Sequence, residues 1–78
     1  DLPIEYAQEK ERHERLRQAV AELSDKHQSV FILHTSEDLS YKEIAEVVGC
    51  NVGTVMSRLF YARKKLQVSL AAMGYKLS

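Results

Sequence analysis

The stretch SYKEIAEVVGCNVGTVMSRLFYARKKL, residues 40–66, decides the fold because it contains the start and stop signals of two consecutive helices. Ser40 followed three positions later by Glu43 is a capping box, in which each side chain accepts a hydrogen bond from the other residue's backbone N–H at a helix start. Gly49 supplies the left-handed residue that commonly ends a helix, and Asn51 is a preferred N-cap for the next one. The stretch therefore predicts a short helix, a tight turn and a second, longer helix.

Apolar residues recur in the second helix at spacings of three and four, which is typical of one stripe facing a partner helix. These residues are Val52, Val55, Leu59, Ala62 and Leu66. In the first helix Ile44, Ala45 and Val48 share a face. Two helices that meet across a turn containing glycine form a helix-turn-helix, whose second helix enters the major groove of DNA. An ordinary helical hairpin has the same spacing and remains the alternative on pattern alone.

Two more helices are expected upstream of residue 40. The segment Asp1–Leu23 has no helix breaker after Pro3, so it predicts one long helix. Its apolar stripe is confined to the second half and consists of Leu16, Ala19, Val20 and Leu23. Ser24 is expected to cap the next helix, which should end by Ser36 and be covered on more than one side. We therefore predict an all-α fold, a small four-helix domain that contains a helix-turn-helix and no sheet.

The chain has 78 residues, enough for one small domain, and a formal net charge of zero whose distribution is uneven. Residues 1–25 hold seven acids and four bases, residues 26–50 hold four and two, and residues 51–78 hold none and five, which gives −3, −2 and +5. All of the positive excess lies on or after the second helix of the helix-turn-helix, where phosphate contacts would be needed. So few cations predict weak DNA binding by this domain alone and a shallow dependence on salt.

Other kinds of site find no support in the sequence. The histidines, His13, His27 and His34, and the single cysteine, Cys50, do not form the closely spaced pairs that bind zinc, so no metal or other cofactor is expected. No Ser/His/Asp group, glycine-rich phosphate loop or carboxylate pair stands out, so we expect neither an enzyme nor a small-molecule substrate. A lone cysteine suits a reducing cytoplasm, and Cys50 is interpreted as a small apolar residue of the turn. No apolar run approaches the roughly 20 residues that span a membrane, and the missing initiator methionine suggests an excised domain.

The segment LSYKEIAEVVGCNVGTVMSRLFYARKKL, residues 39–66, resembles region 4 of bacterial RNA polymerase sigma factors, specifically the extracytoplasmic-function (ECF) branch. The shared motifs, in the family's order, are Glu43-Ile44-Ala45, Gly53-Thr54-Val55, Ser57-Arg58-Leu59 and Ala62-Arg63. The segment LSDKHQSVFIL, residues 23–33, resembles the helix that precedes the motif in the family. The resemblance covers roughly residues 16–66, and the joined motifs are specific although each alone is weak.

The resemblance implies a winged-helix-like fold of the sigma region 4 type, without a sheet. The predicted organisation is an N-terminal helix at 1–22, whose mixed-charge stretch is either a solvated helix face or a linker or regulator-binding surface, a sigma region 4-like DNA-binding domain at 16–73 with the helix-turn-helix at 40–66, and a tail at 74–78. The resemblance implies recognition of the promoter's upstream, minus-35, element during transcription initiation. The implied partners are double-stranded promoter DNA and core RNA polymerase, with an anti-sigma factor as a further candidate and no membrane.

Helical geometry places the candidate DNA contacts on the outer face of the second helix. If the apolar stripe faces inward, the base-reading candidates on the opposite face are Met56, Ser57, Phe60 and Tyr61. The phosphate candidates lie at the two helix starts and among the cations of the second helix, namely Ser40, Tyr41, Lys42, Gly53, Thr54, Arg58, Arg63, Lys64 and Lys65. Arg58 has a competing role, an ion pair with Glu43 or Glu46 that would lock the two helices together.

Two departures from the family bear on specificity. Many members carry an arginine or lysine where this chain has Met56, and often an arginine where it has Tyr61. Loss of those side chains removes bidentate reading of guanine at these positions. We therefore expect a target that is read more by apolar contact and by DNA shape.

Two other classes of function stay open on the sequence. The DNA-binding output domain of a LuxR-type response regulator shares the EIA and TV skeleton but normally lacks the SRL segment and the AR pair after it. A helical protein-interaction module without DNA affinity would present the apolar residues that follow Leu66 to a partner. Those residues, which otherwise pack on the first helix, are Val68, Leu70, Ala71, Ala72 and Met73.

Overall fold

A computed structural model describes residues 4–75, apart from the side chains of residues 5–7. It contains four helices, α1 (Ile4–Ala21), α2 (Asp25–Thr35), α3 (Tyr41–Val48) and α4 (Val52–Ala72). No strand occurs between residues 4 and 75, so the prediction of an all-α, four-helix domain is confirmed for the described part. The predicted helix start at Asp1–Pro3 and the end of the tail, residues 76–78, lie outside the described residues.

The helix start and stop signals predicted for the helix-turn-helix are all present in the structure. The Ser40 hydroxyl accepts a hydrogen bond from the Glu43 N–H at 3.1 Å, and the Glu43 carboxylate accepts one from the Ser40 N–H at 2.9 Å. Gly49 ends α3 in the left-handed conformation, with φ of 76°. The amide oxygen of Asn51 caps the start of α4. Local sequence thus sets the length of α3 and the position of the turn.

Helix α4 lies at the centre of the fold and packs against the other three helices. Its apolar stripe is divided between two clusters of buried side chains. The motif core joins the first half of α4 to α2 and α3 and consists of Val30, Ile44, Ala45, Val55 and Leu59. The basal core joins the second half of α4 to the end of α1 and consists of Ala19, Leu23, Ala62, Leu66 and Leu70. The predicted burial of the stripe is confirmed from Val55 to Leu66.

Helix α2 contributes to both clusters, as expected for a helix covered on more than one side. Val30 is fully buried in the motif core and Leu33 packs against the same cluster, whereas Phe31 packs against the basal core. The Gln28 side-chain amide donates a hydrogen bond to the backbone carbonyl of Val20 at 3.0 Å, which ties α2 to α1. Helix α2 therefore fixes the position of the helix-turn-helix relative to α1.

The first half of α1 packs on nothing within the described residues, and it lengthens the molecule to 47 Å against 24 and 20 Å in the other directions. Its charged side chains pair along the helix, for example Glu14 with Arg17 at 3.2 Å and Glu11 with Arg15 at 3.7 Å. Exposed pairs of this kind stabilise a helix by only a few tenths of a kcal/mol each, roughly 0.2 to 0.5. The first buried residue of α1 is Ala19.

Two expectations about single residues are wrong, and a third is confirmed only for the position of the residue. Val52 is 38% exposed, because as the first residue of α4 it lies at the turn rather than between the helices. Leu16 is 37% exposed, because α1 meets α4 only from Ala19 onward. Ser24 occupies the N-cap position of α2, as predicted, but its hydroxyl lies 2.7 Å from Nδ1 of His27 and makes no capping hydrogen bond.

The end of α4 packs on the end of α1, which was the expected role of the residues after Leu66. Leu70 is buried in the basal core, and the Ser69 hydroxyl donates a hydrogen bond to the Glu22 carboxylate at 3.0 Å. Gly74 follows α4 in the left-handed conformation, with φ of 88°. The expected packing on α1 is wrong for Val68, which is 66% exposed, and for Ala71 and Ala72, which are also exposed.

Candidate nucleic-acid interface

The four base-reading candidates share the outward face of α4. Met56, Phe60 and Tyr61 are 53%, 54% and 59% exposed, and Ser57 is exposed between them. Residues four apart on a helix are neighbours, so Met56 adjoins Phe60, and Ser57 adjoins Tyr61. The buried stripe lies on the other side of the same turns. The helix therefore presents one continuous, largely apolar surface to its surroundings.

The two aromatic rings on this surface pack on each other and on a lysine. The rings of Phe60 and Tyr61 meet edge to face, with centroids 5.3 Å apart and an interplanar angle of 82°. The Lys64 ammonium lies 5.3 Å from the centre of the Phe60 ring, which is within the range of a cation–π contact. Phe60 is therefore held between a second ring and a positive charge while half of it stays exposed.

A groove of about 400 Å³ separates the start of α3 from the outer face of α4. Tyr41 lines it from α3, and Met56, Phe60, Arg63 and Lys64 line it from α4. The groove brings base-reading and phosphate candidates from both helices to one place. An elongated anion with an apolar edge, such as one strand of a duplex, has the chemistry to fit between these walls.

The start of α3 offers backbone donors next to an exposed lysine. The capping box uses the N–H groups of Ser40 and Glu43, so those of Tyr41 and Lys42 have no acceptor within the helix. The Lys42 side chain is exposed, whereas Tyr41 is half-buried with its ring 5.1 Å from that of His34. Nδ1 of His34 lies 3.1 Å from the Leu39 carbonyl, so this histidine has a hydrogen-bond partner. Lys42 is therefore the freer of the two phosphate candidates.

The start of α4 carries a positive partial charge that no local acid neutralises. The Asn51 amide oxygen accepts from the Thr54 N–H at 2.8 Å, which leaves the N–H groups of Val52 and Gly53 without an acceptor in the helix. The first turn of α4, which is described throughout, contains no acidic residue. A Cβ at Gly53 would lie 3.3 Å from the Asn51 amide oxygen, so the glycine keeps this cap unstrained. Phosphate binding at such a helix start is chemically favourable.

The pKa of the Glu43 carboxyl group lies below its usual value because of the capping box. The backbone N–H and then the hydroxyl of Ser40 donate hydrogen bonds to Glu43 and lower the pKa of its carboxyl group. The capping box is therefore intact at neutral pH.

Arg58 is half-buried and does not form the ion pair expected as its competing role. Within the described residues its guanidinium is paired with neither Glu43 nor Glu46, and Glu43 is bonded to Ser40 instead. Arg58 Nη1 lies 4.0 Å from the Cys50 thiol sulfur, over the turn of the motif. Cys50 itself is half-buried and packs against the motif core. The positive charge of Arg58 thus remains free to act at the edge of the outer face.

Other cations flank the apolar surface. Arg63, Lys64 and Lys65 are exposed, with Arg63 and Lys64 on the groove side. Gln67 also lines the groove and was not anticipated, although extending the helical period one turn beyond Lys64 would have found it. The Lys64–Phe60 contact was likewise readable from its spacing of four.

The described residues contain neither a group of metal ligands nor a helix that could span a membrane. Between residues 4 and 75 no three His, Cys, Asp or Glu side chains are grouped as metal ligands. None of the helices described has the length and apolar character that crossing a membrane requires.

A short capped helix, a tight turn and a long helix with an exposed, cation-flanked outer face define a helix-turn-helix DNA-binding domain. Comparison with known families agrees with this class of domain and identifies one family within it. The family model for Sigma-70, region 4 matches residues 13–66, and the chain belongs to this family.

Several relatives are named as sigma factors. RNA polymerase sigma factor YlaC of Bacillus subtilis (strain 168) is 40% identical over 70 residues, which cover 90% of this chain and 40% of that protein. RNA polymerase sigma factor SigV of the same organism is 40% identical over 55 residues, 70% of this chain and 33% of that protein. The ECF RNA polymerase sigma-E factor of Haemophilus influenzae is 51% identical over 35 residues, 45% and 18% of the two chains. The chain thus spans 40% or less of these relatives.

The resemblance to region 4 of an ECF sigma factor, seen in the sequence, is confirmed by these matches. They support promoter recognition by a sigma factor and a place among DNA-binding transcription regulators. They give no support to the response-regulator output domain or to the interaction module without DNA binding.

Proposed function

We propose that this chain is the promoter-recognition domain of an ECF-type sigma factor, which reads the minus-35 element of double-stranded promoter DNA while the rest of the protein holds core RNA polymerase. The observation that carries the proposal is the outer face of α4. It is left unpacked by the fold and flanked by cations, in a chain that the region 4 family model matches over residues 13–66.

Base reading is assigned to the side chains that project from the middle of this face. Met56, Phe60 and Tyr61 make apolar contacts with base edges in the major groove, and the Ser57 hydroxyl bonds to a base or a nearby phosphate. The contacts of Phe60 with Tyr61 and with Lys64 hold these side chains in place before DNA arrives, which lowers the entropy lost on binding.

Phosphate binding is assigned to the rim of the same surface. One strand is held at the start of α3, by Ser40, Tyr41 and Lys42, and across the groove by Arg63 and Lys64. The other strand meets the start of α4 at Gly53 and Thr54 and the side of α4 that carries Arg58 and Lys65. Contacts on both sides of α4 fix the helix in the groove in one orientation.

The number of cations sets the strength of binding. Lys42, Arg58, Arg63, Lys64 and Lys65 supply the positive side chains of the interface, and about four neutralised phosphates predict a slope of log K against log salt of roughly −3 to −4. This is shallow for a DNA-binding protein. We therefore infer that tight promoter binding needs the holoenzyme, and that the domain is the DNA-reading part of a larger assembly.

The wider setting follows from this role. A chain that binds promoter DNA and polymerase acts in the cytoplasm, is not an enzyme, and needs neither a cofactor nor a small-molecule substrate. An anti-sigma factor is a further candidate partner, since a sigma factor is regulated most simply by covering the surfaces with which it binds DNA and polymerase.

The test removes single cations and measures DNA binding of the folded chain. Fluorescence anisotropy with a labelled duplex of random sequence, at about 50 and 200 mM salt, gives the affinity and the salt slope. Arg63→Ala and Lys64→Ala should each weaken binding and make the slope shallower by about 1. Lys10→Ala is the matched control, because Lys10 is an exposed cation on the far half of α1. If the control weakens binding as much as Arg63→Ala does, the interface is not on α4.

A further inference from the structure

We infer that the DNA element read by this domain carries thymines whose C5-methyl groups contact Met56 and Phe60. This inference rests on the proposed function and adds the chemical class of base that the outer face of α4 selects. Two observations on the first three turns of α4 support the inference. Exposed apolar side chains are present there, and outward-facing side chains that could read a purine are absent.

The outward-facing positions in the base-reading part of α4, Met56, Ser57, Phe60 and Tyr61, hold no side chain suited to bidentate hydrogen bonding. Guanine is read by arginine or lysine, and adenine by asparagine or glutamine. Between Val52 and Tyr61 the only such residue is Arg58, which is half-buried beside Cys50 at the edge of the face. Asn51 stands just before this segment, and its amide oxygen is already used as the cap of α4. The helix therefore cannot read purines in the usual way at these positions.

The same turns offer apolar atoms in their place. More than half of Met56, of Phe60 and of Tyr61 is exposed. A cluster of large apolar side chains left open by a small domain usually marks a contact surface. In the major groove the apolar group of a base edge is the C5-methyl of thymine, which is the natural contact for these side chains.

The cations beside the cluster identify the occupant as DNA rather than an apolar protein helix. The Lys64 ammonium lies over the Phe60 ring, and Arg63 lines the adjoining groove. A partner that covers Phe60 must therefore carry negative charge close to its apolar group. A thymine-containing strand meets both demands, since its phosphate binds the cations and its methyl group meets the ring. RNA does not, because uracil lacks the methyl and the major groove of A-form RNA is too narrow for side chains to read.

The experiment uses two pools of random duplex DNA, one made with thymine and one with deoxyuridine, which lacks only the methyl group. The chain selects binders from each pool, and the recovered duplexes are then resynthesised with single thymines replaced by deoxyuridine. Recovered sites should share thymines at one or two fixed positions. Loss of one methyl at such a position should weaken binding about fourfold, from the hydrophobic contribution of one buried methyl or methylene group.

Variants connect the effect to named side chains. Met56→Ala and Phe60→Ala should each bring the affinity ratio of thymine to deoxyuridine at one position close to 1. Val68→Ala should leave the ratio unchanged, because Val68 is an exposed apolar residue that lies farther along α4, outside the proposed contact. Far-UV circular dichroism shows whether each variant keeps its helical content, as substitutions at exposed positions should.

The outcomes separate this inference from the proposed function. If specific sites are recovered but their affinity does not change with deoxyuridine, or if they consist of guanine-rich sequence without fixed thymines, the inference is overturned and the proposed function stands. If neither pool yields any preferred sequence, sequence reading by this chain is refuted, and the inference fails with it.

Discussion

Substitution of Leu59 by alanine tests whether the two helices of the DNA-binding motif pack as described. Leu59 is 1% exposed and lies in the motif core with Ile44 of α3 and Val30 of α2. Replacing a fully buried leucine by alanine costs about 3 kcal/mol, within an observed range of about 2 to 5. A chain of this length has a free energy of unfolding of about 4 to 12 kcal/mol. The substitution should therefore remove between a quarter and most of the total stability.

Urea unfolding followed by far-UV circular dichroism measures this loss directly. With an unchanged m-value, the midpoint should fall by the ratio of the lost free energy to m, and the Tm should drop by roughly 12 to 24 °C. The matched control is Val47→Ala, since Val47 lies on α3 but is 64% exposed. The control should change the free energy of unfolding by less than about 0.5 kcal/mol.

The double variant with Leu70→Ala adds a test of how the two cores are related. Leu59 and Leu70 lie in separate clusters and about 16 Å apart along α4, so their costs should add to within about 0.5 kcal/mol. A loss for Leu59→Ala below about 1 kcal/mol, no larger than for Val47→Ala, would show that α3 is not held against α4 by this side chain. The reasoning about the motif would then be refuted.

Three further substitutions have defined outcomes. Asn51→Ala removes the cap of α4 and should lower the free energy of unfolding by about 1 kcal/mol in urea titrations, and no loss would mean that the cap is not formed. Because the pKa of Glu43 is lowered in the folded state, its stabilising effect is complete above the ordinary glutamate pKa, about 4.3, and is lost as the pH falls through the lower folded value. Urea midpoints measured from about pH 7 to pH 3 should therefore fall less steeply for Glu43→Gln than for the unaltered chain. Identical slopes would show that the hydrogen bonds between Ser40 and Glu43 do not contribute to the loss of stability in acid. Ser69→Ala removes the hydrogen bond to Glu22 and should cost about 1 kcal/mol in thermal unfolding, whereas an unchanged Tm would show that this bond adds nothing.

The helix boundaries of the motif were predictable because they depend on neighbouring residues. The capping box at Ser40, the left-handed Gly49 and the cap at Asn51 act over three or four residues, and each appears in the structure as the sequence indicates. The stripe of α4 was predictable for a similar reason, since periodicity alone says which side of a long helix is buried.

Burial near the ends of the packed regions was not predictable in the same way. Val52 and Leu16 fit their apolar stripes by spacing, yet both are exposed because the partner helix does not extend that far. Where a partner helix ends relative to a given residue depends on the crossing of helices, which no local pattern contains. The groove between Tyr41 and Lys64 was missed for this reason as well.

The position of Arg58 shows that one local signal can exclude another. An ion pair between Arg58 and Glu43 was considered from the sequence, although the capping box already assigned the Glu43 carboxylate to Ser40. Applying the capping assignment first would have removed that partner. The groove brings Tyr41 of α3 next to Met56, Phe60, Arg63 and Lys64 of α4, and the contacts of all the candidates with DNA are a proposal that the binding experiments test.

The most direct test of that surface is an amide-resolved NMR titration of the chain with duplex DNA from the selected pool, at low and at physiological salt. The account predicts that chemical-shift changes concentrate on residues 40–42 and 51–65 and become smaller as salt rises. Amides at the start of α1 should not move. If the residues of α3 and α4 stay unchanged in a folded chain while α1 or the end of α4 responds, α4 is not the element that reads DNA, and the central claim is contradicted.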